Sequence, residues 1–272
     1  MRLRSLLIHL VLIVAVFVTL YPMIWVVRTA FSPGQSLSPS LALWPDSPTV
    51  EHFRSVLFDR PFFAWLRNSV IVSAMTTLIG VFLACTAAYA FSRFRFPGRS
   101  AGLLSFLISQ MFPGTLMIIP LYLIMDFLGL LDRLTGLVFI YSTVSIPFCV
   151  WMLKGYFDTI PKDLEESALI DGASQTLIFW RIILPLSLPA VAVTALFSFI
   201  TAWNDFILAA TFMSEETRYT LPVGLQMMVG QFSSEWGNFA AGAILVSLPV
   251  MALFFLLQRY LVSGLTAGSV KG

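Results

Sequence analysis

Residues 68–92 read NSVIVSAMTTLIGVFLACTAAYAFS, a run that contains no acidic or basic side chain. A helix needs about 20 consecutive apolar residues to cross the hydrocarbon core of a bilayer. Five more segments meet this requirement, and the only Asp, Glu, Lys or Arg inside any of them is Asp205; they are residues 6–27, 101–125, 134–153, 186–213 and 239–258. The sequence therefore predicts an all-α membrane protein, a bundle of six transmembrane helices.

The overall composition points the same way. Apolar residues make up 58% of the 272-residue chain and charged residues only 11%, against about 25% charged in an average soluble protein. The net charge of +2 is too small for a nucleic-acid binder, which must neutralise many phosphates. We expect membrane lipid, and no nucleic acid, among the partners of this chain.

The first apolar segment follows Arg2 and Arg4 and could be mistaken for a secretory signal. It is longer than the roughly 7–15 residues of a signal core, and no small-residue cleavage site follows it, so we expect an uncleaved anchor. Basic residues concentrate on the cytoplasmic side of membrane proteins. Placing the N-terminus in the cytoplasm puts about twice as many basic residues inside as outside, which predicts that both termini are cytoplasmic.

Two stretches outside the predicted spans are long. Residues 29–67 are rich in serine and proline and predict an irregular extracytoplasmic cap. Residues 154–185 predict two short helices instead: Asp171-Gly172 breaks the first, Ser174 caps the second, and Pro185 stops it.

The second of these short helices is unusually apolar for a cytoplasmic segment, with Leu177, Ile178, Phe179, Trp180, Ile182 and Ile183. Two interpretations are open: the helix lies on the lipid headgroups, or it fills a groove on a soluble partner. Gly172 favours the partner, because a turn without a side chain lets a foreign surface approach the backbone.

This loop carries a recognisable pattern. Its spacing resembles the EAA motif of bacterial ABC importer permeases, with Ser167 where alanine is usual, and the matching residues are Glu166, Ser167, Ala168, Gly172, Ile182, Leu184 and Pro185. Other stretches resemble the maltose-type, carbohydrate-uptake branch of that family: residues 68–72, 88–98, 147–151, 203–206 and 264–272.

The resemblance implies the fold of a type I ABC importer permease in a bacterial inner membrane. Its implied partners are a second homologous permease, an ATPase homodimer that holds ATP and magnesium, and an extracytoplasmic sugar-binding protein. The chain itself would bind no cofactor and catalyse no reaction. The implied substrate is maltose or maltodextrin, with another di- or oligosaccharide such as trehalose as the second choice.

The resemblance also implies a division of the chain and two contacts with the ATPase. Residues 1–67 would form the first helix and an extracytoplasmic loop, 68–260 the permease core, and 261–272 a cytoplasmic tail. The motif residues and Asp171 would form the coupling loop. The tail, whose glycines disfavour a helix, would touch the ATPase through Gly264, Thr266, Gly268 and Lys271.

Three polar residues within or near the spans, Gln110, Asn204 and Asp205, are candidates for a substrate path. The alternative for Asp205 and Gln110 is a hydrogen bond between helices, which we favour. The chain has no Gly-x-x-x-x-Gly-Lys-Ser/Thr phosphate-binding loop. An ion-coupled secondary carrier is the competing function, but one intramembrane acid is fewer than such a carrier usually needs. A membrane-embedded enzyme ranks last, since no nucleophile–base pair is recognisable.

Overall fold

The computed structural model describes residues 2–35, 42–230 and 234–267. In these ranges the first seven α-helices are α1 (Arg2–Phe31), α2 (Glu51–Phe58), α3 (Phe62–Arg93), α4 (Arg99–Met111), α5 (Ile118–Phe127), α6 (Leu134–Phe157) and α7 (Asp163–Ile170). They are followed by α8 (Gln175–Ile178), α9 (Leu184–Leu186), α10 (Leu188–Asn204), α11 (Ile207–Phe212), α12 (Leu221–Gln226) and α13 (Trp236–Ala267). A π-helical turn, Phe179–Ile183, joins α8 to α9.

The structure agrees with the prediction of six membrane spans if each of two bent helix pairs is counted as one span. Four helices are long and apolar enough to cross a bilayer unaided: α1, α3, α6 and α13. The other two are helix pairs, Arg99–Met111 with Gly114–Phe127 at 98° and Gln175–Leu186 with Leu188–Asn204 at 79°.

The break in the third span occurs at Pro113. Phe112 has an extended ψ of 129°, because a proline disfavours the helical conformation of the residue before it. The helix α4 therefore ends at Met111, and a 3₁₀ turn, Gly114–Met117, leads into α5. The sequence predicted one continuous span here, and the structure has two helices at a steep angle.

The fifth span differs from the prediction at both ends. Pro185 does not stop the second short helix, since α8, the π turn and α9 run without interruption to Leu186. A π turn widens the helix locally, which accommodates a proline that has no amide hydrogen to donate. The sharp bend lies at Ser187 instead. At the other end α10 stops at Asn204, and α11 resumes after Asp205 and Phe206.

The middle of α3 packs against α6 and α10 at the centre of the bundle. Small residues make this close approach feasible. A Cβ atom on Gly80 would lie 3.3 Å from Ser145 Oγ and 3.5 Å from Ser198 Oγ. The buried aliphatic and aromatic side chains of these three helices form the core on either side of that crossing.

The predicted extracytoplasmic cap is more ordered than its sequence suggested. It contains α2, and α3 begins at Phe62 rather than at Asn68. His52 of α2 is 3% exposed; its Nε2 lies 2.8 Å from the Ser32 carbonyl oxygen and its Nδ1 3.0 Å from Asn238 Oδ1. These contacts fasten together the end of α1, the helix α2 and the start of α13.

The two ends of the chain behave differently from the core. Residues 5–24 of α1 are all exposed within this chain. The last helix, α13, continues through Gly264 and Thr266 to Ala267, so the expectation that the chain leaves the helical conformation after residue 260 is wrong. One isolated glycine costs a helix only about 1 kcal/mol. Gly268 and Lys271 lie outside the described residues.

Candidate functional site

The loop between α6 and α10 has the two-helix form that its sequence predicts. The first helix, α7, ends at Ile170, and Gly172 adopts a left-handed φ of +85°. The turn is closed by hydrogen bonds from Gly172 N to Leu169 O (3.0 Å) and from Ala173 N to Ala168 O (2.9 Å), a common way to end a helix. Ser174 then caps α8 by accepting a hydrogen bond from Leu177 N at 3.3 Å.

The apolar face of the second short helix is divided between the chain's own core and its surface. Ile178, Phe179 and Ile183 are buried against α3 and α6, so half of the side chains that suggested a lipid or partner contact pack internally. Leu177 and Trp180 remain 48% and 45% exposed. Neither interpretation of this face therefore accounts for all six apolar residues.

The motif residues form an exposed tip and a partly covered base. At the tip Glu166, Ser167, Asp171 and Gly172 are exposed, and the neighbouring Ile170 is 87% exposed. At the base Pro185 is exposed, whereas Ala168, Ile182 and Leu184 are partly buried. A Cβ atom on Gly172 would meet nothing within 4 Å. The tip is thus open to another molecule.

A buried ion pair that the sequence did not reveal holds the loop against α3. Glu165 accepts a hydrogen bond from Arg93 Nε, and the two side chains are 9% and 7% exposed. The Tyr89 hydroxyl lies 3.0 Å from Glu165 Oε2 and 3.1 Å from Gln175 Oε1. Tyr89 and Arg93 are four residues apart and therefore lie on one face of a helix. In the sequence, this spacing was the only indication that the two side chains share a partner.

A second set of contacts joins the ends of α3 and α6. Arg93 Nη2 donates to the Ile160 carbonyl at 3.0 Å, and Ser92 Oγ donates to Asp158 Oδ1 at 2.6 Å. Lys154 also pairs with Asp158. Burial raises the pKa of Asp158, but hydrogen bonds from Lys154 and Ser92 outweigh it and lower the pKa below its ordinary value of 3.8.

Asp205 makes the interhelical hydrogen bond that we favoured for it. Its Oδ1 accepts from the Tyr141 hydroxyl of α6 at 2.8 Å. The same oxygen accepts from Leu208 N at 3.0 Å and Ala209 N at 3.1 Å, which satisfies the backbone at the start of α11 where the span is broken. The carboxylate therefore serves both as a helix cap and as a link between helices.

The other two substrate-path candidates have different surroundings. Gln110 Nε2 donates to the Val144 carbonyl of α6 at 3.1 Å. Asn204 is exposed and lines an open, mostly apolar cavity of about 650 Å³ between α10, α12 and α13, whose other polar residues include Gln226 and Ser247. In the described part of the chain, no cluster of three His, Cys, Asp or Glu side chains could hold a metal ion.

Comparison with known proteins gives consistent results. Residues 76–267 match the family model described as binding-protein-dependent transport system inner membrane component. The chain is 40% identical to the galactooligosaccharides transport system permease protein GanQ of Bacillus subtilis, over 99% of this chain and 96% of GanQ. It is 38% identical to the maltose/maltodextrin transport system permease protein MalG of Salmonella typhimurium, over 100% of this chain and 97% of MalG.

A solved structure shares the fold. A chain of a bacterial ABC transporter involved in the import of the acidic polysaccharide alginate superposes with a TM-score of 0.83 at 23% identity, covering 96% of this chain and 97% of that one. The overall fold of this chain is thus that of a known membrane transporter. The extent of the family match and the full-length identities show that this chain belongs to the binding-protein-dependent transport system inner membrane components, as an ABC transporter permease.

Proposed function

We propose that this chain is the permease subunit of an ATP-driven importer of a short oligosaccharide. The relatives support this substrate class, since their names give galactooligosaccharides, maltose/maltodextrin and, for DasC of Streptomyces coelicolor at 36% identity, diacetylchitobiose. All are short glycosidic oligomers. Maltodextrin is our first choice of substrate, because the sequence motifs resemble those of maltose-type permeases.

The observation that carries the proposal is the open tip of the loop at residues 166–172. Ile170 is 87% exposed beside the uncovered Gly172, and Leu164 and Leu169 of the same helix are 45% and 43% exposed. Such a group of exposed apolar side chains is typical of a protein interaction surface. We assign this tip to the groove of an ATPase subunit. That subunit would hold ATP and magnesium, because the present chain lacks a phosphate-binding loop.

The exposed face of α1 supports a second permease as a further partner. All residues from 5 to 24 are uncovered by the rest of this chain, and a long apolar helix in a membrane either faces lipid or packs against another helix. Two such permeases would enclose the path, with an extracytoplasmic binding protein delivering the sugar. The family match supports an inner-membrane location, and the distribution of basic residues supports an orientation with both termini in the cytoplasm.

The cavity beside Asn204 is our candidate for this chain's share of the path. Its amide, together with Gln226 and the Ser247 hydroxyl, offers the hydrogen-bonding groups that sugar hydroxyls require. Asp205 is assigned a structural role, because Tyr141 and two backbone amides occupy its Oδ1.

Purification of the tagged chain from its host in a mild detergent tests the proposal. We expect a P-loop ATPase and a second permease to co-purify, and ATP-dependent sugar uptake after reconstitution with the binding protein. A panel of malto-, galacto- and chito-oligosaccharides then identifies the substrate. Uptake by the isolated chain that follows an ion gradient and needs no ATPase would instead establish the secondary carrier.

A further inference from the structure

The connection between the coupling loop and the rest of the span that follows it is irregular. The helix leaving the loop contains the π turn Phe179–Ile183 and then bends by 79° at Ser187. Sharp bends in helices occur at such irregular turns. Because the two helices meet at 79°, a displacement of the loop along the first helix is not directed along the axis of α10.

The helix α3 offers an unbroken route. Its 32 residues contain no proline, and at 1.5 Å per residue they span about 48 Å. Its cytoplasmic end is fastened to both short helices of the loop: Arg93 and Tyr89 contact Glu165 of α7, and Tyr89 also contacts Gln175 of α8. The Arg93–Glu165 pair is almost fully buried, so water competes little for these bonds.

The opposite end of α3 is fastened in the same manner to the segment before α12. Asn68 Nδ2 donates to the carbonyls of Thr217 (2.9 Å) and Tyr219 (3.0 Å). Ser69 Oγ accepts from Leu221 N at 2.7 Å. Trp65 adds a bond from its Nε1 to the Glu216 carbonyl at 2.9 Å. Residues 216–221 lead directly into α12, which lines the cavity beside Asn204.

We propose that α3 is the lever that couples the loop to this cavity, and that Tyr89, Arg93, Glu165 and Ser69 are its positioning residues. When the loop moves with its ATPase, the ion pair moves the cytoplasmic end of α3. The bonds at Asn68 and Ser69 then shift the segment that carries α12. This assignment rests on the proposed function, and it adds a specific mechanical path to it.

The test measures sugar imported per ATP hydrolysed by the whole complex reconstituted in liposomes. Tyr89→Phe removes the hydroxyl that reaches Glu165 and Gln175, and Ser69→Ala removes the acceptor for Leu221 N. We expect each to lower the ratio by about 2- to 30-fold, the range found for changes along coupling networks. Glu165→Ala should lower it further, and Glu165→Gln, which keeps an acceptor oxygen, should lie between Glu165→Ala and the unmodified chain.

Thr77→Ala is the matched control, because it deletes a hydroxyl of α3 that bonds only to the helix's own Ser73 carbonyl. Its ratio should equal that of the unmodified protein. A lesion that merely destabilises the fold lowers the yield of complex but not the ratio. If Glu165→Ala does not assemble, Tyr89→Phe decides for the cytoplasmic end.

The outcomes separate the lever from the proposed function. Unchanged ratios in assembled Tyr89→Phe and Ser69→Ala complexes would overturn the lever while leaving the importer intact. A lower ratio in Tyr89→Phe with an unchanged ratio in Ser69→Ala would also overturn it, because the contacts at Glu165 would then only hold the loop in place. Absence of any co-purified ATPase from the unmodified chain would contradict the proposed function itself.

Discussion

Replacing Gly172 with tryptophan should prevent stable association with the ATPase while leaving membrane insertion unchanged. Two effects contribute and can be separated. The residue has a φ of +85°, a conformation that costs any side chain about 1–2 kcal/mol. A Cβ atom there meets nothing within 4 Å, so a side chain at this position starts into open space within this chain. An extra loss of the tryptophan variant beyond that of a small side chain would therefore point to a foreign surface.

The size of that second effect follows from close packing. Forcing extra volume into a well-packed contact costs about 1–3 kcal/mol, which corresponds to about 5- to 150-fold weaker binding. Gly172→Ala is the control, because it has the same backbone cost without the bulk. Purified ATPase subunit is titrated against the detergent-solubilised permeases, and the dissociation constants are compared. Equal affinities of the tryptophan and alanine variants would refute the docking of the ATPase at this tip.

Three further predictions concern other parts of the chain. Asp205→Asn should keep uptake within a few-fold of normal, because an amide oxygen can still accept the hydrogen bonds from Tyr141 and the backbone. Asp205→Ala should lower the free energy of unfolding by about 0.5–2 kcal/mol, measured as a lower melting temperature. Loss of uptake in a fully folded Asp205→Asn protein would place the residue on the sugar path. Deleting residues 266–272 should leave the complex assembled but reduce sugar imported per ATP, and an unchanged ratio would show that this end takes no part in coupling. Asp158→Asn should destabilise the protein at pH 7. Because the pKa of Asp158 is lowered, the difference in melting temperature should shrink as the pH falls below about 4 and vanish only below the lowered pKa; a difference that persists in strong acid would contradict the role of the ionised carboxylate.

The spans and the loop could be predicted because local sequence determines them. The length and the apolar character of a segment are enough to identify a membrane helix. The turn at Gly172 and the cap at Ser174 depend on residues only a few positions apart. The turn and the cap therefore appear in the structure where the sequence indicated, whereas the third and fifth spans are broken inside the predicted segments.

The features that the sequence left hidden all depend on distant partners. Glu165 looked like one more acid at a helix start, and only the folded chain brings Arg93 of α3 to it. The end of α10 at Asn204 likewise depends on Asp205, which caps the next helix and also bonds Tyr141 of another span. Pro185 was expected to end a helix, but the π turn just before it lets the helix continue to Leu186.

The contact between α1 and α13 has a consequence for how the protein is made. The helix α1 leaves the ribosome before α13 and packs against it through the end that His52 fastens to Ser32 and Asn238. About 200 residues separate the two helices in the chain, and at ribosomal rates of 5–20 residues per second the first waits roughly 10–40 s for the second. During that interval lipid, the insertion machinery or another subunit must cover the end of α1 that α13 later covers.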